Sequence, residues 1–193
     1  MARLTALMTA LALVSLLCAG QAVARAVGYV LDPETSFVEY SVAFGPDRII
    51  GTIPIRQSEF RLDPATGADS RVVVELDATG ARANFPFASQ ALIGPKVLDA
   101  ARHPVIRFES DTVRISGETA RVEGKVTIRG QTRPVSLDVT AYRQRGTEPG
   151  DLSRLTLLVT GSVRRSDFGA TGWMDMVSDE VAIRIVVRIA RSE

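Results

Sequence analysis

Few residues in this chain could do covalent or acid–base chemistry. There is one histidine, His103, and one cysteine, Cys18. A lone histidine argues against a multi-histidine zinc centre and against most nucleophile–base pairs. Cys18 sits in an N-terminal apolar run, and loss of that run would leave no thiol for a disulfide, a nucleophile or a thiolate metal site. Carboxylate chemistry stays open. Asp167, Asp175 and Asp179 lie close together in sequence, and an enzyme using them on a hydrophobic substrate would need a carboxyl of raised pKa inside an apolar site. Ser166 stands between Arg165 and Asp167 with no base beside it, so the expectation there is a surface or turn-stabilising ion pair. His103, just before Pro104, reads as a helix-terminus residue. No catalytic residue and no metal ligand is assigned.

The first residues read as an address. Arg3 supplies a positive start, Leu4 to Leu17 is apolar, and Ala22-Val23-Ala24 has the small-x-small pattern of a cleavage site. The run is shorter than the roughly 20 residues of a membrane-spanning helix. The bulky Leu17 before Cys18 is unlike a lipidation signal, which wants a small residue there. Residues 1–24 are therefore expected to be a signal peptide and 25–193 one secreted domain. Lys and Arg number 23 against 22 Asp and Glu, and Arg3 is the only charge the leader would remove. Near-zero net charge gives no electrostatic footprint for nucleic acid, and no overall attraction to anionic headgroups.

The elements that must position any site are strands. Between Arg121 and Tyr142, Val122, Gly124, Val126 and Ile128 alternate with charged or polar residues. Beyond a turn at Gly130-Gln131, Val135, Leu137, Val139 and Ala141 do the same. Period-two alternation marks a sheet with one buried face, so this stretch predicts a β-hairpin, with Pro134 ending the region where ladder donors are needed. The same pattern recurs at Phe37–Phe44, Ile49–Ile55, Arg71–Leu76, Val105–Glu109, Thr112–Ser116, Leu155–Val163 and Val181–Ile189, with turns signalled by Asp32-Pro33, Gly45-Pro46 and Asp63-Pro64. Ala88–Arg102 breaks the rhythm. It predicts two short helical pieces, the first capped by Ser89 and the second running from about Pro95 to Ala101.

About eight consecutive strands must hide their edges. An all-β, eight-stranded antiparallel barrel with a short helical segment near 88–102 does so, and its interior holds one small ligand or is filled by side chains. A two-sheet sandwich is the alternative that periodicity leaves open. The inward positions are Val, Ile, Leu and Phe, which suits a hydrophobic ligand.

Several strings resemble one family. Tyr29-Val30-Leu31-Asp32-Pro33, then Val97-Leu98-Asp99 with His103-Pro104 and Ile106-Arg107-Phe108-Glu109-Ser110, then the hairpin Gly124 to Val135, then Arg165-Ser166-Asp167-Phe168-Gly169 resemble the YceI-like proteins, in the same order along the chain. The resemblance implies a lipocalin-like barrel in the periplasm that binds a polyisoprenoid chain, such as an isoprenoid quinone or polyprenyl lipid, with no cofactor besides that ligand. Many relatives carry histidines at places that align here with Thr35, Phe44 and Ala91, so a histidine-based headgroup or metal role does not transfer.

Candidate ligand contacts are Phe44, Leu98, Ile106, Phe108, Val126 and Ile128, expected to point inward. Phe85 and Phe87 either rim a barrel mouth or plug it. Phe168, Trp173 and Met176, in the loop before the last strand, offer a wide aromatic face and a flexible thioether for a lipid tail; packing at the barrel end accounts for them equally. The leading reading is a lipid-binding module without chemistry, with transient membrane contact and a homodimer as open partners. An enzyme using Asp167, Asp175 or Asp179 comes second. A filled barrel acting as a protein-interaction module comes third.

Overall fold

The structure, a computed structural model, describes residues 26–192; the expected signal peptide, 1–24, lies outside the described residues. The strands are β1 (Val27–Leu31), β2 (Phe37–Phe44), β3 (Asp47–Ile53), β4 (Ile55–Leu62), β5 (Arg71–Asp77), β6 (Arg82–Ala83), β7 (Val105–Ser116), β8 (Thr119–Ile128), β9 (Gln131–Arg143), β10 (Arg154–Arg164) and β11 (Val177–Arg191), with one α-helix, α1 (Pro86–Ile93), and short 3₁₀ turns at Ala78–Gly80 and Arg165–Phe168. The order β1-β4-β5-β7-β8-β9-β10-β11 closes on itself through β1–β11 pairing. The expected eight-stranded antiparallel barrel is the architecture, and the sandwich is not.

Two staves of the barrel are broken in the middle. β11 pairs with β1 at Ile189–Arg191 and with β2 from Val186 back to Val177. At the break the Arg188 N–H is taken by the Ser36 hydroxyl at 2.9 Å, and the Asp32 N–H donates to the Arg188 carbonyl at 2.8 Å. The β3–β4 stave breaks at Pro54, which lacks an N–H; its carbonyl still accepts from Asp77 at 2.9 Å. These bonds carry the ladder across both breaks, and the ring stays closed.

The central hairpin is β8 and β9, in register from Thr119–Thr140 to Ile128–Gln131. Its two-residue turn is Arg129-Gly130, one residue earlier than expected, and both have positive φ, 52° and 73°, as the favoured hairpin turns require. Pro134 lies inside β9 opposite Lys125 and ends nothing. The helical segment differs more. α1 begins at Pro86, where a proline at the first helical position costs no hydrogen bond. Ser89 is therefore inside the helix, and its hydroxyl accepts from Ala83 N–H at 2.9 Å, tying α1 to β6. After Gly94-Pro95 no second helix forms. The chain folds back in turns, with Leu98, Asp99 and Ala100 N–H groups donating to Leu92, Gly94 and Ile93 carbonyls at 2.8–3.0 Å.

Two clusters of buried apolar residues mark the ends of the barrel. One, beside α1, holds Leu98, Ile106, Val126 and Phe168; the other, around Tyr29, Phe60, Leu155, Val187 and Ile189, lies toward the far end. Glycine shapes the wall between. A Cβ on Gly124 would sit 2.9 Å from two ring carbons of Phe108 and against the Glu109 carbonyl, so only glycine lets that ring lie flat on β8. Gly124→Val is expected to cost about 1–3 kcal/mol, read as a lowered urea midpoint.

Four connections repeat one device. Asp32, Asp63, Asp77 and Asp151 each accept the N–H two residues on, at 2.7–3.0 Å. Asp63 is the deepest, 1% exposed, and also accepts from Thr66 N–H and hydroxyl. The hydroxyls of Thr35, Thr66, Thr79 and Ser153 beside them hold all four carboxyls below the ordinary aspartate value of 3.8. Lowered folded values mean stability that is present above the unfolded value and lost as pH falls through the folded ones. Unfolding free energy should hold level from about pH 7 to about pH 5 and decline below about pH 4. Asp63→Asn should be less stable at neutral pH and show a shallower acid decline in denaturant titrations.

Candidate ligand-binding site

Alternation along each stave turns one face of every strand into the barrel, and the side chains delivered there do not fill it. An elongated cavity of about 420 Å³ runs through the interior. At one end it is bounded by Ala88, Ala91 and Leu92 of α1, by Val97 and Leu98, and by Phe168 and Trp173. At the other it reaches Pro64, Ser70, the Gly117–Thr119 turn and Leu152. Between them the wall is aliphatic: Val38 and Val42 of β2, Val135, Leu137 and Val139 of β9, Leu157 and Val159 of β10, and Val181, Ile183, Ile185 and Val187 of β11.

The polar residues on the lining are Tyr40, Ser70, Glu118, Thr119 and Arg165. The Tyr40 hydroxyl donates to the Arg82 carbonyl at 3.1 Å, and burial pushes its pKa up to about 12. Gly51 makes room for it, since a Cβ there would collide with the Tyr40 hydroxyl. Ser70 accepts from the Asp63 N–H at 2.9 Å. These hydroxyls serve the wall and leave the bore apolar.

Arg165, expected to pair with Asp167 in a surface or turn-stabilising ion pair, has other partners. It forms no ion pair with Asp167, which pairs instead with Arg164 at 3.4 Å on the surface. Arg165 is buried, and its guanidinium donates to four main-chain carbonyls: Ala170 and Gly172 at 2.7 Å, Val177 at 2.8 Å and Ser178 at 2.9 Å. Among the described residues no carboxylate oxygen comes within 4.0 Å of it. Desolvation lowers its pKa, with Asp179 acting against that. Asp179 accepts from Ser166 N–H at 2.9 Å and hydroxyl at 2.7 Å, which holds its carboxyl below the ordinary value. Arg165 and Asp179 thus fix the Gly169–Ser178 loop that carries Trp173 to the cavity. Only the preceding Phe-Gly and the crowd of small residues hinted at a packed loop.

Of the residues singled out from sequence, Leu98, Ile106, Phe108, Val126, Ile128, Phe168 and Trp173 line the cavity together. Phe44, Phe85, Phe87 and Met176 do not. β2 has passed the bore by Phe44, which pairs with Val177 at the rim, and its ring packs on Phe85 with centroids 6.5 Å apart. Phe87 points outward from the first turn of α1, 85% exposed, and Met176 is 48% exposed. Asp167 and Asp179 belong to an outer groove with Arg133 and Arg164, and Asp175 is in an exposed loop. The one carboxylate residue on the cavity wall is Glu118, in an end turn. His103 terminates no helix; it sits beside the hairpin turn, where a Cβ on Gly130 would lie 3.1 Å from its Cε1. At the aligned histidine places, Ala91 lines the cavity, Phe44 stands at the rim and Thr35 bonds Asp32 in a turn.

A closed antiparallel barrel around a long aliphatic bore is a hollow barrel of the kind that encloses a ligand. A family model for the YceI-like domain matches residues 29–189, and the chain belongs to the YceI-like family. A UPF0312 protein of Pseudomonas savastanoi pv. phaseolicola is 32% identical over 162 residues, covering 82% of this chain and 83% of the relative. The crystal structure of Burkholderia cenocepacia BcnA superposes with a TM-score of 0.73 at 22% identity, over 82% of this chain and 99% of that one. A polyisoprenoid binding domain from Saccharophagus degradans, implicated in plant cell wall breakdown, gives 0.63 at 12% identity, over 86% of this chain and 99% of that one. Both share the fold.

Arg165→Met leaves four carbonyls without their donor. It should lower stability by at least about 2 kcal/mol and shift Trp173 emission in the folded state, whereas Arg164→Met should leave both close to wild type.

Proposed function

We propose that this chain is a periplasmic binding protein that holds an isoprenoid lipid, a quinone or polyprenyl chain, inside the barrel and does no chemistry on it. The observation that carries the reading is the bore itself: long, aliphatic, and without Asp167, Asp175 or Asp179 on its wall. Its volume falls within the ~300–1,000 Å³ of small-molecule sites. Burial of a hydrocarbon is favourable by ~0.8 kcal/mol for each CH₂ group, so the wall needs no polar recognition to hold a prenyl tail. The polyisoprenoid binding domain from Saccharophagus degradans, which shares the fold, supports the choice of an isoprenoid over another hydrophobe. Removal of residues 1–24 would deliver the barrel to the periplasm, where a lipid crossing water needs enclosure.

The carboxylate enzyme is the weaker reading, because its acids lie outside the bore and Asp179 is held ionised by Ser166.

Gentle purification from the native compartment, solvent extraction and mass spectrometry should recover a prenyl lipid near one per barrel. Phe108→Glu, which sets a charge in the bore, should abolish recovery while the folded far-UV spectrum persists. Absence of any bound lipid, with no saturable uptake of added polyprenyl quinone, would overturn the proposal.

A further inference from the structure

The ladder that closes the barrel is not paired along its whole length. β9 and β10 pair from Arg143–Leu155 to Asp138–Thr160 and stop there. Beyond that point β9 goes on pairing with β8 as far as Gln131, and β10 with β11 as far as Arg164. Residues 131–137 of one strand and 161–164 of the other therefore face each other across a seam without a ladder pair. Pro134 supplies the reason. The two-residue turn at Arg129-Gly130 makes Ile128–Gln131 a hydrogen-bonded pair, so every second residue after Gln131 turns its N–H away from β8 and toward β10. Thr132, Pro134 and Ser136 are those residues. Pro134 keeps its place opposite Lys125, yet it has no N–H to give β10.

This seam lies between the bore and the outer groove. The groove, about 590 Å³, is bounded by Arg133 and Pro134 of β9, Ser162 and Arg164 of β10, and Asp179 of β11. Val163 and Phe168 line the groove and the bore alike. The Phe168 ring, 2% exposed, is the partition between them, and Val135 and Val163 pack against its cluster. The 3₁₀ turn that carries the ring lies against β9. Gly169 follows at φ 71°, a left-handed conformation that glycine holds at little cost, and gives the ring a hinge.

The two ends of the bore are tied differently, by hydrogen bonds. At the far end the Tyr29 hydroxyl donates to the Leu152 carbonyl at 2.9 Å, the Arg191 N–H to Ser153 at 2.7 Å and the Ala141 N–H to Glu118 at 2.8 Å, while Asp63 holds its own turn. At the α1 end Arg129 donates to the Pro95 and Val97 carbonyls at 2.7 and 2.8 Å, and the Gly172 N–H to the Lys96 carbonyl at 3.0 Å. The edge left at β6 is covered by α1, tied there through Ser89. What holds the β9–β10 seam is the apolar packing of one ring. Packing of that kind yields to a hydrocarbon chain, because the chain restores the apolar burial that the ring gives up.

We infer that this seam is the portal of the bore: a prenyl chain enters sideways between β9 and β10, with Phe168 as the door. The inference rests on the lipid-carrier reading for its ligand. Its test uses a chain carrying Cys18→Ser, so that one introduced cysteine is the sole thiol. A bulky label is attached through a reducible disulfide at Ser162→Cys in the groove, at Met174→Cys by the α1 end or at Glu148→Cys by the far end, all three being exposed positions. Uptake of tetraprenyl benzoquinone is followed by quenching of Trp173, the single tryptophan, which lines the bore. The label at Ser162→Cys should slow uptake and release by an order of magnitude or more, and reduction should restore both; labels at the other two sites should change them little. Phe168→Leu, which keeps an apolar but smaller side chain at the door, should speed both several-fold while affinity moves less. Uptake indifferent to the Ser162→Cys label, or blocked as strongly from Met174→Cys or Glu148→Cys, would overturn the portal and leave the carrier intact, as would unchanged rates in Phe168→Leu. A wild-type chain that takes up no quinone would overturn the carrier reading, and the portal with it.

Discussion

Everything in this molecule depends on hydrogen bonds along β11. Its 15 residues pair with β10 on one edge and with β2 and β1 in turn on the other. Because the barrel interior is not filled, side-chain packing cannot hold the staves at their spacing across the middle. The closed ladder must do it. Closure through the β1–β11 pairing removes most of the edges along which a sheet would aggregate, leaving the two-residue β6 as the edge beside α1. Where the ladder falters, at Ser36 and at Pro54, a hydroxyl or a displaced carbonyl completes it. A hollow core is affordable because the two ends are packed: Leu98, Ile106 and Phe168 at one, Phe60, Leu155 and Ile189 at the other.

The ends are built by polar groups turned to structural use. Aspartates fold four connections by accepting local N–H groups, and Arg165 gathers four carbonyls of one loop. The buried charges of Asp63 and Arg165 are thereby committed to holding loops. The same economy governs Tyr40, whose buried hydroxyl is spent on the Arg82 carbonyl. Charge has been kept to the outside and the ends, which is what a bore for hydrocarbon requires.

Much of this was legible in the sequence. A side-chain period of two fixes which residues share a face, so Val126, Ile128, Ile106 and Phe108 could be placed inward before any fold was known, and they line the bore. Periodicity does not say where a strand leaves the barrel. Phe44 has the same parity as Val42, yet it lies beyond the last inward position, at the rim. The helix start was misplaced because Ser89 looks like a cap while Pro86 at the first helical position serves as well. Arg165 beside Asp167 invited a local ion pair; the buried alternative needs carbonyls as far along as Ser178, and such a cage leaves no spacing signal. The YceI-like resemblance was carried by motifs spread over the whole domain, which is why it survived comparison along residues 29–189.

The central claim is that the bore is hollow and takes a prenyl chain along its length. Isoleucine methyl NMR tests it directly, because isoleucines report from inside and outside the barrel at once. Ile106 and Ile128 line the α1 end, Ile183 and Ile185 the middle and Ile115 the far end, while Ile50 faces solvent, 42% exposed. Titration with a polyprenyl quinone should shift the methyls of these five lining residues together, saturating near one equivalent, and leave Ile50 in place. Lining methyls that stay fixed while Ile50 moves, or that do not respond at all, would contradict the account.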